Sequence, residues 1–223
     1  MAYVTYLGGD GLDQLREAIA YPDGSVLVSG PVHSKDLLTT EGAFQRAYAG
    51  DEPVLGHEGV IGGDAYLAVV APDGRSLVRA TYFGGSKQER GAYGVLLDAD
   101  GNVVLGGATR SPDLPTTPGA FQTRFGGGTA DVYMAKLTPD LKRLLWGTFV
   151  GGNGDDWPRG GIALDPAGNV YAVGRTTSTN FPAVGGGVLD RGDRIDPDVM
   201  ITAVSADGAR LHMAASHGGS DGA

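Results

Sequence analysis

The chain has 223 residues with 39 glycines, no cysteine and a formal net charge of −9. The absence of cysteine removes disulfide stapling and any thiol chemistry, and the acidic balance excludes a nonspecific phosphate-binding surface, which requires a basic stripe. No apolar run approaches the roughly 20 residues with which a helix spans a bilayer, and the four histidines, His33, His57, His212 and His217, stand in no catalytic motif.

In chain order, the first expected element is a strand over Ala2–Leu7 that enters without a basic or an apolar leader segment, so no signal peptide is expected. It ends in Gly8-Gly9. Leu12, Leu15 and Ile19 have amphipathic helical spacing, but Ile19 occupies the repeat position of Val95 and Ile162, which places it in a strand. Four runs of period-two alternation follow. The first is Ile19–Tyr21 and the second Val26–Val28, joined by the tight turn Pro22-Asp23-Gly24-Ser25. After the loop Ser34–Gln45 and an insertion over Ala47–Gly63, the third run is Tyr66–Val70. Pro72-Asp73-Gly74-Arg75 turns it into the fourth, Leu77–Phe83, which runs into Gly84-Gly85.

The same series then recurs. Thr81-Tyr82-Phe83-Gly84-Gly85 returns 67 residues on as Thr148-Phe149-Val150-Gly151-Gly152, and 67 further on as Ala215-Ser216-His217-Gly218-Gly219. Asp64-Ala65-Tyr66, Asp131-Val132-Tyr133 and Asp198-Val199-Met200 keep that period, whereas Thr5-Tyr6-Leu7-Gly8-Gly9 precedes the second copy by 76. The excess therefore lies before Asp64. Repeats run over approximately 5–80, 81–147 and 148–214, with the start of a fourth at 215–223. Each contains two hairpins, and four antiparallel strands per repeat with no sustained helix predict an all-β fold, a β-propeller of four-stranded blades.

The strings Thr-Tyr-Phe-Gly-Gly, Asp-Gly-Asn-Val, Leu-Pro-Thr-Thr-Pro-Gly-Ala-Phe-Gln and Asp-Val-Tyr-Met-Ala-Lys-Leu, all between Thr81 and Leu137, resemble the bacterial SBBP-type β-propeller repeat. The resemblance covers almost the whole chain. It implies a propeller of bacterial, often secreted or surface-associated proteins, mostly without an assigned activity, and so implies a fold rather than a function.

Counting one strand at Ala2–Leu7 and four in each of three repeats gives thirteen, which is not a multiple of four. One strand is left over at one end or the other, according to whether the double glycine opens or closes a blade. Three blades are also fewer than the four to eight of closed propellers. Exposed strand edges and apolar blade faces invite association. The expected function is a non-catalytic scaffold or assembly subunit that meets a protein partner, or further copies of itself, through blade edges and loop faces.

The alternative is a module that binds a glycan or Ca²⁺. Asp13, Glu89 and Asp156 each follow a double glycine by four positions, so the repeat places them at one radius, where a ring of carboxylates suits a cation that prefers oxygen ligands. The plainer reading of the same residues is the capping of turns and strand-end amides. The insertion brings Asp51, Glu52, His57 and Glu58 into one loop, and Trp157 lies just past the third double glycine, which makes these candidate partner or ligand contacts. Asp98-Ala99-Asp100-Gly101-Asn102 resembles the opening of an EF-hand loop but lacks its closing Glu and reads as a hairpin turn. Arg191-Gly192-Asp193 is a three-residue match to an adhesion motif in a glycine-rich loop. A hydrolase or lyase using paired carboxylates is a weaker alternative.

Overall fold

A computed structural model describes residues 4–50, 54–56, 59–184, 188–189 and 197–217. It is all strand, in the chain order β1 (Glu17–Ala20), β2 (Val26–Val32), β3 (Val54–Gly56), β4 (Gly59–Ile61), β5 (Asp64–Val70), β6 (Leu77–Phe83), β7 (Glu89–Leu97), β8 (Val103–Thr109), β9 (Asp131–Leu137), β10 (Leu144–Val150), β11 (Asp156–Leu164), β12 (Val170–Thr176), β13 (Val188–Leu189), β14 (Asp198–Val204) and β15 (Leu211–His217). No helix among the described residues is long and apolar enough to cross a membrane.

Twelve of these strands form three antiparallel blades. Blade I has the order β1-β2-β5-β6, blade II β7-β8-β9-β10 and blade III β11-β12-β14-β15, with β13 added in parallel along β15. The double glycine thus closes a blade: β6 ends at Phe83 and β10 at Val150, each immediately before its glycine pair. Blade edges follow one another around the arc, the first strands β7 and β11 touching, as do β1 and β7. The three sheets do not close into a ring.

Hairpin turns fall where Asp and Gly supply them. Asp98 Oδ1 accepts the amides of Asp100 and Asn102 at 3.0 and 2.9 Å, and Gly101 adopts φ 77°, so the EF-hand-like string is a turn between β7 and β8. The segment Leu12–Ile19 forms no helix, and Ile19 lies in β1.

Two expectations are corrected. Residues 4–7 form no strand, because no neighbouring strand offers them backbone partners. The insertion carries its own short hairpin, β3 paired with β4, and the third repeat carries β13, neither of which was in the count of thirteen.

Two hydrophobic clusters sit between blades, and a third, with Tyr66, Ala68 and Tyr82, lies on blade I alone. Leu67, Val69 and Phe83 of blade I meet Val95, Leu105, Tyr133 and Leu141 of blade II in one cluster, and Val132, Met134 and Trp146 of blade II meet Val170, Met200 and Ala214 of blade III in a second. A four-stranded sheet buried on both faces reads as a continuous apolar run, and β9, Asp131–Leu137, is buried at every position.

Candidate functional site

The repeated acidic residues belong to a latch that ties each double glycine to the blade that follows it. Gly85 N donates to Glu89 Oε2 at 3.1 Å, Ser86 N to Asp113 Oδ1 at 2.9 Å and Lys87 N to Ser111 Oγ at 2.9 Å. One repeat later Gly152 N donates to Asp156 Oδ2 at 2.7 Å, Asn153 N to Asn180 Oδ1 at 2.7 Å and Gly154 N to Ser178 Oγ at 2.9 Å. At the start of the chain Gly9 N donates to Asp13 Oδ2 at 3.0 Å, Asp10 N to Asp36 Oδ1 at 2.9 Å and Gly11 N to Ser34 Oγ at 2.8 Å. The serine completes each latch by donating its hydroxyl to the carboxylate: Ser34 to Asp13 at 2.6 Å, Ser178 to Asp156 at 2.7 Å, and Ser111 to Glu89. Orphan amides at a strand end are satisfied by carboxyl and hydroxyl acceptors.

These glycines are sterically required. A Cβ on Gly84 would stand 2.5 Å from both Asp64 Oδ1 and Glu89 Oε2, and one on Gly85 would stand 2.5 Å from Ser111 Cβ. Gly151 and Gly152 repeat this, against Asp131 Cγ at 2.4 Å and Asn180 Oδ1 at 2.6 Å.

Beneath each interior latch lie two buried carboxyls, one from the start of a third strand and one from the start of the next blade: Asp64 with Glu89, and Asp131 with Asp156, all four fully buried. Burial pushes the Glu89 carboxyl up to about 8, assisted by the Asp64 charge and opposed by hydrogen bonds from Ser111, Thr109 and Gly85. Burial likewise raises Asp131 to about 7, with the Asp156 charge adding to it, and Asp64 to about 6, against hydrogen bonds from Ala49, Gly50 and Gln45. Asp156 is raised by burial. Asp131 Oδ2 accepts Gly126 N at 2.6 Å, while its Oδ1 is buried without a hydrogen bond.

The structure therefore gives Asp13, Glu89 and Asp156 to three separate latches. Among the described residues no three His, Cys, Asp or Glu side chains converge as a metal would need. Trp157 lies in β11 rather than in a loop: it is 5% exposed, packs with Ala108 and Ala130, and has the Arg110 guanidinium 5.7 Å from its ring centroid. Asp51, Glu52, His57 and Glu58, like Arg191-Gly192-Asp193, lie outside the described residues. Sequence reasoning missed the latch serines Ser34, Ser111 and Ser178 and the carboxyls of Asp64 and Asp131, although the former recur at the head of each long loop and the latter keep the 67-residue period.

The second notable feature is an open blade face. Val173, Val199, Ile201 and Met213 on blade III are 46%, 56%, 40% and 42% exposed. Register brings them together, Val173 opposite Ile201 and Ala203 opposite Met213. One repeat earlier, Val132, Met134 and Trp146 hold the positions of Val199, Ile201 and Met213 and are 0%, 0% and 4% exposed, because blade III covers them.

Residues 145–182 match a family model described as a beta-propeller repeat, designated SBBP. No curated protein matches the chain.

Proposed function

The chain is an SBBP-type repeat protein, and from that premise we propose that it is a non-catalytic interaction module that docks protein partners on its open blade face. One observation carries this reading: Val199 and Ile201 stand in solvent, whereas their counterparts, Ala65 and Leu67 in blade I and Val132 and Met134 in blade II, are fully buried against a further blade. An apolar surface that the same repeat covers elsewhere is a surface built for covering. Its residues are the counterparts of Val132, Met134 and Trp146, which meet another blade at the interior junction. The acidic residues support the reading too, since they are engaged in joining blade to blade.

The test compares the native chain with a Val199→Lys/Ile201→Lys variant by light scattering across a tenfold concentration range, together with solubility and binding of a fluorescent dye specific for apolar surface. Both positions are solvent-facing, so the fold should survive. The expected result is association or dye binding by the native chain and its loss in the variant. A native chain that is monomeric, binds no dye and is no less soluble than the variant overturns the reading.

A further inference from the structure

Resting on the docking reading above, we infer that the occupant of the open face is a second copy of this chain, joined by strand exchange: residues 4–7 of each copy displace the end of β15 and take its place in the outer strand of the other's third blade. Two copies so joined close one ring of six blades.

The first argument is the latch. Phe83 leaves the outer strand of blade I, and the amides of Gly85, Ser86 and Lys87 then bind the start of blade II. Residues 9–11 bind the start of blade I by the same three bonds. Residues 4–7 are therefore held where the outer strand of a preceding blade belongs. Leu7 packs into the cluster containing Tyr66, as Phe83 stacks on Tyr133 with ring centroids 5.9 Å apart. The latch is formed, and residues 4–7 pair with no strand among the described residues.

The second argument is Tyr6. Its counterparts Tyr82 and Phe149 are fully buried, whereas Tyr6 is 98% exposed and Val4 76%. A strand-ready segment with an unpaired backbone and an exposed aromatic is a donor for sheet extension.

The third argument identifies the acceptor. Blade III fills its outer slot with Ala215-Ser216-His217, where the other repeats place Thr81-Tyr82-Phe83 and Thr148-Phe149-Val150. Thr5-Tyr6-Leu7 carries the pair of large apolar residues that blade III's own strand lacks. In the slot of β15, Leu7 would lie opposite Val199, Tyr6 opposite Met200 and Thr5 opposite Ile201, as His217, Ser216 and Ala215 do now. The exchange would bring blade I of one copy against the apolar face of the other's blade III.

A matching contact recurs at both interior junctions: Phe44 N donates to Leu141 O and Phe121 N to Gly208 O, each at 2.9 Å. Gly74 holds the position of Leu141 and Gly208, and there it lines a pocket of about 170 Å³ with Thr5, Tyr6, Leu7 and Leu77. Val188 holds the position of Phe121 and already runs beside β15, so a partner's Val188 amide would reach Gly74.

The experiment uses the full chain, which has no native cysteine. Light scattering gives the mass of the native chain, of Tyr6→Asp and of Ile201→Lys, and Leu7→Cys/Val199→Cys is oxidised and run on a non-reducing gel beside each single variant. Expected are a native mass of twice 22.8 kDa, a monomer for Tyr6→Asp, and a disulfide-linked dimer only in the double-cysteine variant. A native chain that stays monomeric overturns the inference, as does an oxidised double variant that runs as a monomer. A dimer indifferent to Tyr6→Asp but lost in Ile201→Lys also overturns strand exchange while leaving the docking reading intact. The dye and solubility comparison separately decides that reading for a monomeric chain.

Discussion

The indole of Trp146 lies flat against Gly208 in the next blade: a Cβ on that glycine would stand 2.6 Å from Cδ2, and the indole Nε1 donates to Ala206 O at 2.9 Å. One side chain thus closes the outer edge of the junction between blades II and III. Trp146→Ala should lower stability by about 3–5 kcal/mol, the range for truncating a buried aromatic, and leave Lys136 without the ring 5.8 Å from its Nζ. Urea denaturation reads this directly. A loss under about 1 kcal/mol would mean that the junction repacks over the gap.

Leu141 is the one non-glycine residue with positive φ, 58°, among the described residues, at a turn position where the other repeats have Gly74 and Gly208. Left-handed backbone costs a leucine about 1–2 kcal/mol. Its side chain is fully buried in the cluster between blades I and II, and losing such a side chain costs about 2–5 kcal/mol. Burial wins, so Leu141→Gly should destabilise despite relieving the backbone. A more stable variant in denaturant titration would show that the strain dominates.

Most of the blade was legible in the sequence because turn chemistry and strand alternation are local. Pro22-Asp23-Gly24-Ser25 and Asp98–Asn102 fix hairpins by their own hydrogen bonds, whatever surrounds them. The SBBP-type repeat was likewise legible from its strings. The role of Glu89 was not. Its partners Gly85, Thr109 and Ser111 are set by how two blades meet, and a 67-residue period reports recurrence without saying whether the recurring carboxyl faces a metal or an amide. Residues 4–7 misled for the complementary reason: their sequence is a strand's, but a strand exists only where another backbone pairs with it.

Gly84→Ala tests whether the first glycine of each pair is a packing constraint. The added methyl would meet Asp64 Oδ1 and Glu89 Oε2, each held by hydrogen bonds, so it cannot be absorbed by a flexible side chain. Overpacking of this kind costs about 1–3 kcal/mol. Gly119→Ala is the control: nothing lies within 4 Å of its Cβ, leaving only the strain of φ 83°, about 1–2 kcal/mol. Thermal melts should therefore rank Gly84→Ala below Gly119→Ala, and the reverse order would remove the steric account of the double glycine.

The buried carboxyls should make the molecule more stable in mild acid than at neutral pH. Glu89 rises from 4.5 in the unfolded chain to about 8, Asp131 from 3.8 to about 7 and Asp64 from 3.8 to about 6. Between each pair of values the folded chain holds a proton that the unfolded chain has released, so raising pH favours unfolding. The stabilisation is complete below the unfolded values near 4, and it is lost as pH rises through about 6, 7 and 8 in turn. A tenfold difference in proton affinity between the folded and unfolded chains is worth about 1.4 kcal/mol, which makes the Glu89 contribution alone on the order of a few kcal/mol. Unfolding free energy should fall steadily from about pH 5 to about pH 8. Glu89→Gln removes the titrating proton and keeps a side-chain oxygen to accept from Gly85, Thr109 or Ser111, so it should flatten the upper part of that slope and exceed the native chain in stability at about pH 8. Stability that instead rises across this range, or a slope unchanged in Glu89→Gln, would show that these carboxyls are ionised in the folded chain and that the latches bind their amides through full negative charges.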